Sequence, residues 1–465
     1  MNSVQIKNGV YKIWGKLFPA CLLLIILAYS PAQAQQNGVL QEYTAQGVES
    51  NLTLLNAMLD RETAASELRS ARGRFMPEVS LEASYSLASG GRTIGFPLGD
   101  LFNPVYGTLN ELTGTQRFPT NLENVNEQLL PDNFHETKIR IVQPLFNSDI
   151  YFSYRAQRDL VSAREARLKA VENELIKEIR LSYHNYFAST DQLAILESNR
   201  ELVQELVRTT ESLVRNGKAT IDQKFTAEFE LTELDGTIAE ARRRQQTAQA
   251  RFNQLLNREL TAPILRDDAY FESRGDYPEA QLLQETSLLV RPEFAELSAS
   301  RAAATNLLSM NRATAIPDLF VVGDLGYQGR NYTFNSDQDF WFVQFGMRWS
   351  LFRGFQNREK IARSRIELNQ INNRYRELEQ EIQLRVADAR NAVTAAEVRE
   401  QAAIAGLEAA EAGFRIVKRR YEENSALLVE YLRAQDMYTR ARLSASLARY
   451  QLKSAEAVLD RETGR

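Results

Sequence analysis

The chain holds only two histidines, His135 and His184, and one cysteine, Cys21. Neither histidine has a serine or cysteine motif beside it. His135 falls in a Gly/Pro-rich stretch read as a loop, and His184 in a long helical segment, so both read as structural residues. No phosphate loop, dinucleotide fingerprint or metal-ligand spacing occurs. The sequence therefore offers no catalytic residue, no cofactor site and no metal site, and an enzyme is not expected. Glu430 and Arg433 lie three apart on one helix face, an arrangement that by itself makes an ion pair worth a few tenths of a kcal/mol.

The start of the chain narrows the setting. Lys7, Lys12 and Lys16 precede the apolar run from Cys21 to Tyr29, which is too short to span a bilayer. Ala32-Gln33-Ala34 follows as a small-x-small cleavage site, so residues 1–34 read as a secretory signal peptide cut before Gln35. Cys21 leaves with it, and the mature chain has no disulfide or cysteine metal site. Removing the three lysines leaves 53 basic against 60 acidic residues, which argues against a nucleic-acid partner. No later segment has 18 consecutive apolar residues. An exported chain of this kind is periplasmic or an outer-membrane barrel.

The remainder is written twice. Phe75-Met76-Pro77-Glu78-Val79 answers Ala315-Ile316-Pro317-Asp318-Leu319, and Pro144-Leu145-Phe146 answers Ser350-Leu351-Phe352. Arg215-Asn216-Gly217 answers Glu423-Asn424, and Leu255 to Glu259 answers Val458 to Glu462. The copies stand 240 residues apart at the first strand and 206 at the second, so the first copy carries 34 extra residues between its strands. The boundaries read as 35–260 for the first repeat, 261–284 for an equatorial linker and 285–465 for the second repeat.

Four strands are expected, at 77–88, 137–146, 318–328 and 340–352. Val79, Leu81, Ala83, Tyr85 and Leu87 alternate with polar residues, as do Trp341, Val343, Phe345, Met347, Trp349 and Leu351. About ten alternating residues is the length of a tilted membrane strand, and Trp341 and Trp349 sit at opposite ends of the apolar face, where an aromatic girdle lies. Residues 88–136 between the first two strands read as a long extracellular loop, which either folds over the mouth or is a surface loop of no special role.

The helices carry a 3.5-residue repeat. From Val386 through Ala389, Val393, Ala396, Ala403, Leu407, Ala410, Phe414 and Val417 to Tyr421, only Glu400 breaks the apolar series; Leu427 to Leu459 continues it. Such spacing makes a left-handed coiled coil. The segment 147–216 would be about 105 Å long at ~1.5 Å per residue. Two shorter helices, 218–258 and 286–316, match that length if stacked end to end, and so do 425–459 and 40–75. Four membrane strands cannot close alone, because open edges in lipid leave unpaired backbone groups. An oligomer follows.

The order of these motifs carries a resemblance. Arg74-Phe75-Met76-Pro77 before a strand, with Gln143-Pro144-Leu145-Phe146 and Trp349-Ser350-Leu351-Phe352-Arg353-Gly354 ending each hairpin, resembles the TolC-like outer-membrane efflux family across essentially the whole mature chain. The resemblance implies a mainly α chain with transmembrane β: a homotrimer with a twelve-stranded β-barrel in outer-membrane lipid, continued by a periplasmic α-helical barrel. It also implies docking to a periplasmic adaptor and an inner-membrane transporter, as the passive exit duct of a tripartite efflux pump. A type I protein secretion duct is the alternative. A periplasmic coiled-coil adaptor is a further one, which explains the heptads but not the strands. In the family the hairpin tips meet the adaptor, here Asn216, Gly217, Lys218, Ala219 and Thr220 in the first copy and Asn424, Ser425, Ala426 and Leu427 in the second. The pore narrows just beyond, with carboxylates one turn apart. Glu430 stands at the first place and Arg433 at the second, a departure read as a base tying Glu430 in a closed gate. Gln223 takes the place of Glu430 in the first copy, with Asp222 one position early.

Overall fold

The computed structural model describes residues 38–464. The signal-peptide reading, with Cys21 and the cleavage site, lies outside the described residues.

The first repeat runs α1 (Val39–Ser50), α2 (Leu52–Gly73), β1 (Glu78–Leu87), β2 (Thr93–Phe96), α3 (Leu98–Thr113), β3 (Val125–Gln128), β4 (Asn133–Phe146), α4 (Ser148–Arg215) and α5 (Ile221–Leu255). After α6 (Asp268–Glu272), the second runs α7 (Ala280–Val290), α8 (Pro292–Ala313), β5 (Asp318–Gly329), β6 (Asp339–Arg348), α9 (Gln356–Glu422) and α10 (Leu428–Thr463). No described helix is long and apolar enough to cross a membrane.

The four long strands form one antiparallel sheet in the order β1-β4-β5-β6, so β1 and β6 are open edges. Registration aligns Leu81, Ile139, Leu325 and Trp341 in one cross-strand row and Val79, Ile141, Gly323 and Val343 in the next. This apolar face is exposed. The opposite face is charged. Arg140 forks onto Asp324 at 2.9 and 2.7 Å, Lys138 meets Glu136 at 2.9 Å, and Glu82 lies 3.4 Å from Arg140. Lys138 and Asp324 are thereby buried on the sheet itself. The ladder in β6 ends at Arg348, so Trp349 and Leu351 continue the alternation beyond the paired strand.

Two expectations about the first hairpin need correction. Residues 88–136 are not all loop, for they hold the β2–β3 ribbon and the sixteen-residue helix α3. The dense glycines and prolines hid the helix, yet Pro104 sits inside it. His135 is not a loop residue. It lies in β4 opposite Tyr85 and Gly329, because that strand begins four residues earlier than its apolar alternation.

The heptads become buried seams. Val386, Ala389, Val393, Ala396, Glu400, Ala410, Phe414 and Tyr421 are all buried along α9. Glu400, the polar exception, is joined at 2.7 Å by Arg274 from the segment between the repeats. α10 buries a second stripe against α4, where Asn199 Oδ1 accepts from Gln435 at 2.7 Å and Thr439 at 3.0 Å. A buried, satisfied polar set of this kind fixes helix register.

The end-to-end stacking differs from the expectation. Both shorter runs bend, at Asn51 between α1 and α2 and at Arg291 between α7 and α8, each residue in an extended conformation. α2 and α5 flank α4, and α8 and α10 pack against both long helices. The lower end of each pair belongs to its own repeat: Asn51 Nδ2 donates to Leu255 O at 2.9 Å and Ser50 Oγ to Leu256 O at 2.7 Å, joining α5 to α1–α2. Arg291 pairs with Glu462, joining α10 to α7–α8. The expected partners were the reverse, α5 with α8 and α10 with α2. Length could not decide it, because the run before the first strand and the run before the third are nearly equal. The joints are packed by an aromatic cluster of Tyr43, Tyr183, Phe187, Phe252 and Phe271 on one side and by Leu283, Phe294, Leu452 and Leu459 on the other.

Candidate functional site

The two turns at the far ends of the long helices are built alike. α4 ends in Asn216 and Gly217, with Gly217 at φ 64°; α9 ends in Glu423 and Asn424, with Asn424 at φ 55°. At the first, Lys218 N donates to Leu213 O at 2.8 Å and Gly217 N to Val214 O at 3.0 Å. At the second, Ser425 N donates to Arg420 O at 2.7 Å and Asn424 N to Tyr421 O at 2.9 Å. This closure of the last turn requires a left-handed residue, which glycine and asparagine supply most cheaply. No atom crowds Gly217, so backbone conformation rather than space selects it. Thr220 and Leu427 then precede α5 and α10 without a side-chain cap, and Leu427 projects into solvent. Behind the tips, Leu206, Ala227, Phe414, Tyr421, Leu428 and Tyr431 form a compact core, with Thr210 and Tyr421 hydroxyls 2.8 Å apart. Burial pushes the Tyr431 phenol up to about 12.

The ion pairs at the tips are mirrored. In the first hairpin Lys224 on α5 lies 3.5 Å from Glu211 on α4. In the second the acid sits on the returning helix, where Glu430 on α10 lies 3.8 Å from Arg420 on α9. Glu430 thus faces Arg420 and not Arg433 within the chain. Within one chain the hairpin brings the base from the other helix. Among the described residues Arg433 has no ion-pair partner. Both residues border a 790 Å³ groove between α9 and α10, floored by Ala402, Gly406, Ala409 and Gly413. Asp222 lies in the first turn of α5, and Gln223 N donates to Thr220 O at 3.2 Å.

The histidines are accounted for by packing. His184 is held between Ser454 at 3.2 Å and the Tyr270 hydroxyl at 2.8 Å. Burial, reinforced by Lys453 and Arg180, depresses its pKa to about 3, so the ring is neutral. His135 is enclosed by Tyr332 and Phe334, with Nε2 3.0 Å from Gln338 Oε1. Tyr85, Tyr327, Tyr332 and Phe334 thus form an aromatic cluster at the end of the sheet remote from the long helices. Trp341 is 76% exposed on the apolar face, while Trp349 Nε1 donates to Ala315 O at 3.0 Å near the helices. Among the described residues no group of acidic, histidine or cysteine side chains could hold a metal ion.

Sequence reasoning found the tips but missed Arg420, the hinge residue Arg291 and the Arg140–Asp324 pair. Strand alternation places Arg140 and Asp324 on the polar face, so the last was within reach once register was known.

An open, outwardly apolar sheet set on two very long helical hairpins defines the class: this is the protomer fold of outer-membrane channels. It aligns with the CmeC outer membrane channel of Campylobacter jejuni over 92% of this chain and 85% of that one, with a TM-score of 0.75 at 15% identity. The outer membrane protein VceC of Vibrio cholerae aligns over 91% and 96%, at 0.72 and 14%. The MtrE channel of Neisseria gonorrhoeae, in its open state, aligns over 92% and 89%, at 0.73 and 16%. No curated protein matches the chain. Residues 282–465 match the family model described as outer membrane efflux protein.

Proposed function

We propose that the protein is a passive exit duct of the outer membrane, assembled from three chains into one twelve-stranded barrel continued by an α-helical barrel in the periplasm. The observation that carries this is the four-stranded sheet with an exposed apolar face and two unpaired edges. In lipid each unpaired backbone group costs several kcal/mol, so β1 must find β6 of another copy. Exposed apolar side chains on the helices, among them Phe225, Phe229, Ile404 and Ile416, are consistent with neighbouring copies along the helical part as well. The fold shared with outer-membrane channels and the efflux-family match of residues 282–465 support export. The number three comes from the family resemblance.

In this reading the tips at Asn216–Thr220 and Asn424–Leu427 dock a periplasmic adaptor, which connects to an inner-membrane transporter. Glu430 stands at the narrowest point, held by Arg420 of its own hairpin, and Arg433 is left to meet a neighbouring chain. Mass measurement in mild detergent, joined to conductance in planar bilayers, tests the duct. A conducting three-chain particle is expected. A stable monomer that keeps its sheet content overturns the reading.

A further inference from the structure

The β2–α3–β3 insert is a built unit whose apolar side is uncovered. Asn103 binds both backbone groups of Leu122, each at 2.8 Å, and Asn110 binds Phe118 O at 2.7 Å and Phe118 N at 3.0 Å. Asp100 and Asn124 clasp each other at 2.9 Å. Gly99 lies so close to the Leu122 carbonyl that a Cβ would approach it to 2.2 Å. One face of α3 is therefore fixed on the segment 118–124. The other presents Leu98, Leu101, Val105 and Leu112 at helical spacing, with Leu101 60%, Val105 51% and Leu112 80% exposed. Among the described residues no other helix or strand packs extensively on α3.

Three observations select the occupant. The insert springs from Leu87, the outer end of β1, and β1 is an open edge that a neighbouring copy must cover. The insert is thus the connection that leaves this edge strand. The charged residues of α3 are Asp100 and Glu111, both acidic. Helices that lie on an anionic lipid surface carry Lys and Arg on the polar face, so α3 is poorly suited to one. The second hairpin behaves differently, folding Tyr332 and Phe334 back onto its own sheet. We propose that the apolar face of α3 is covered by an adjacent copy of this chain at the outer rim of the barrel, so that the insert clamps neighbouring protomers together there. This rests on the shared-barrel reading above.

The photoreactive amino acid p-benzoyl-phenylalanine, placed at Val105 or at Leu112 of the full-length protein in cells, tests it. Exposed positions tolerate the replacement, and retention of the oligomer's mass in detergent confirms assembly. The same group at Leu81, exposed on β1, reports the barrel seam independently. Illumination should produce a two-chain adduct from positions 105 and 112 as well as from 81. A lipid adduct at 105 and 112 assigns the face to the membrane and overturns the proposal. So does an adduct to a different protein, or no intermolecular adduct, while Leu81 still links two chains. If Leu81 also fails to link, the shared barrel falls and this proposal with it.

Discussion

The two joints between upper and lower helices occupy equivalent places in the two repeats and solve one problem with different chemistry. At Asn51 the joint is neutral. The side-chain oxygen caps α2 by accepting from Thr53 N at 2.9 Å and Leu54 N at 3.2 Å, while the amide nitrogen reaches Leu255 O at 2.9 Å. At Arg291 the joint is ionic. The buried guanidinium contacts Glu293 at 2.9 Å and pairs with Glu462, and Arg461 adds a 2.6 Å bond to Glu293. What the fold demands is a bend in extended conformation whose side chain can reach the end of the lower helix. The chemistry of that reach is free to vary, and with it the response to substitution and acid.

The widest separation should come from truncating each joint. Arg291→Ala leaves Glu462 and Glu293 without their buried partner and should cost about 3–5 kcal/mol. Asn51→Ala removes a cap and one further hydrogen bond and should cost about 1–2 kcal/mol. Denaturant midpoints of the two variants measure the gap, and equal losses would break the distinction.

Acid should separate the joints next. Burial alone would raise the Glu293 pKa, but hydrogen bonding and charge from Arg291, with Arg461 behind, bring it down to about 2. A carboxylate depressed in the folded state contributes stability above its unfolded pKa and loses it as pH falls. The ionic joint should therefore weaken from about pH 4.5 toward 2. His184, depressed to about 3 by burial, is lost over a different window, from about pH 6.5 down. Unfolding followed against pH should flatten between about 4.5 and 2 for Glu293→Gln and between about 6.5 and 3 for His184→Gln.

The tips extend the comparison at smaller scale. Gly217→Ala places a Cβ in the left-handed region and should destabilise by about 1 kcal/mol, whereas Asn424→Gly should be neutral or gain up to about 1 kcal/mol. Thermal unfolding of the two single variants checks the opposite signs.

Least affected in stability should be the exposed Arg420–Glu430 pair, at roughly 0.2–1 kcal/mol. Its signature is expected in conductance. Arg420→Gln and Glu430→Gln should loosen the closed state alike. In the proposed duct Arg433→Glu adds like charges near the axis and should raise open probability by a route independent of Arg420. Unchanged single-channel records for all three would move the gate elsewhere.

Period and punctuation carried the helices, the four strands and both tips into view, because burial on one side leaves a residue pattern along the chain. From Val386 to Tyr421 the heptad positions are buried except Ala403, Leu407 and Val417, which are half-buried. What stayed hidden depends on pairing between distant segments. Asn199 with Gln435, Arg420 with Glu430, and Asn51 with Leu255 are polar contacts without a period. The choice of which helix stacks on which was equally invisible, since two nearly equal lengths fit either way. α3 was masked by Pro104, Gly99 and Gly107, residues that usually end helices, and its apolar spacing was the signal to weigh against them.

Each joint also has a mechanical meaning. α4 and α9 are seamless rods, the first of 68 residues and about 102 Å long. Their companions are spliced, and no peptide bond crosses the splice, for α5 abuts the α1–α2 bend and α10 the α7–α8 bend. In the proposed duct, tension along the wall would run through the two seamless rods. The spliced ones are held across each joint by side-chain bonds and by the buried clusters packed there, without main-chain continuity.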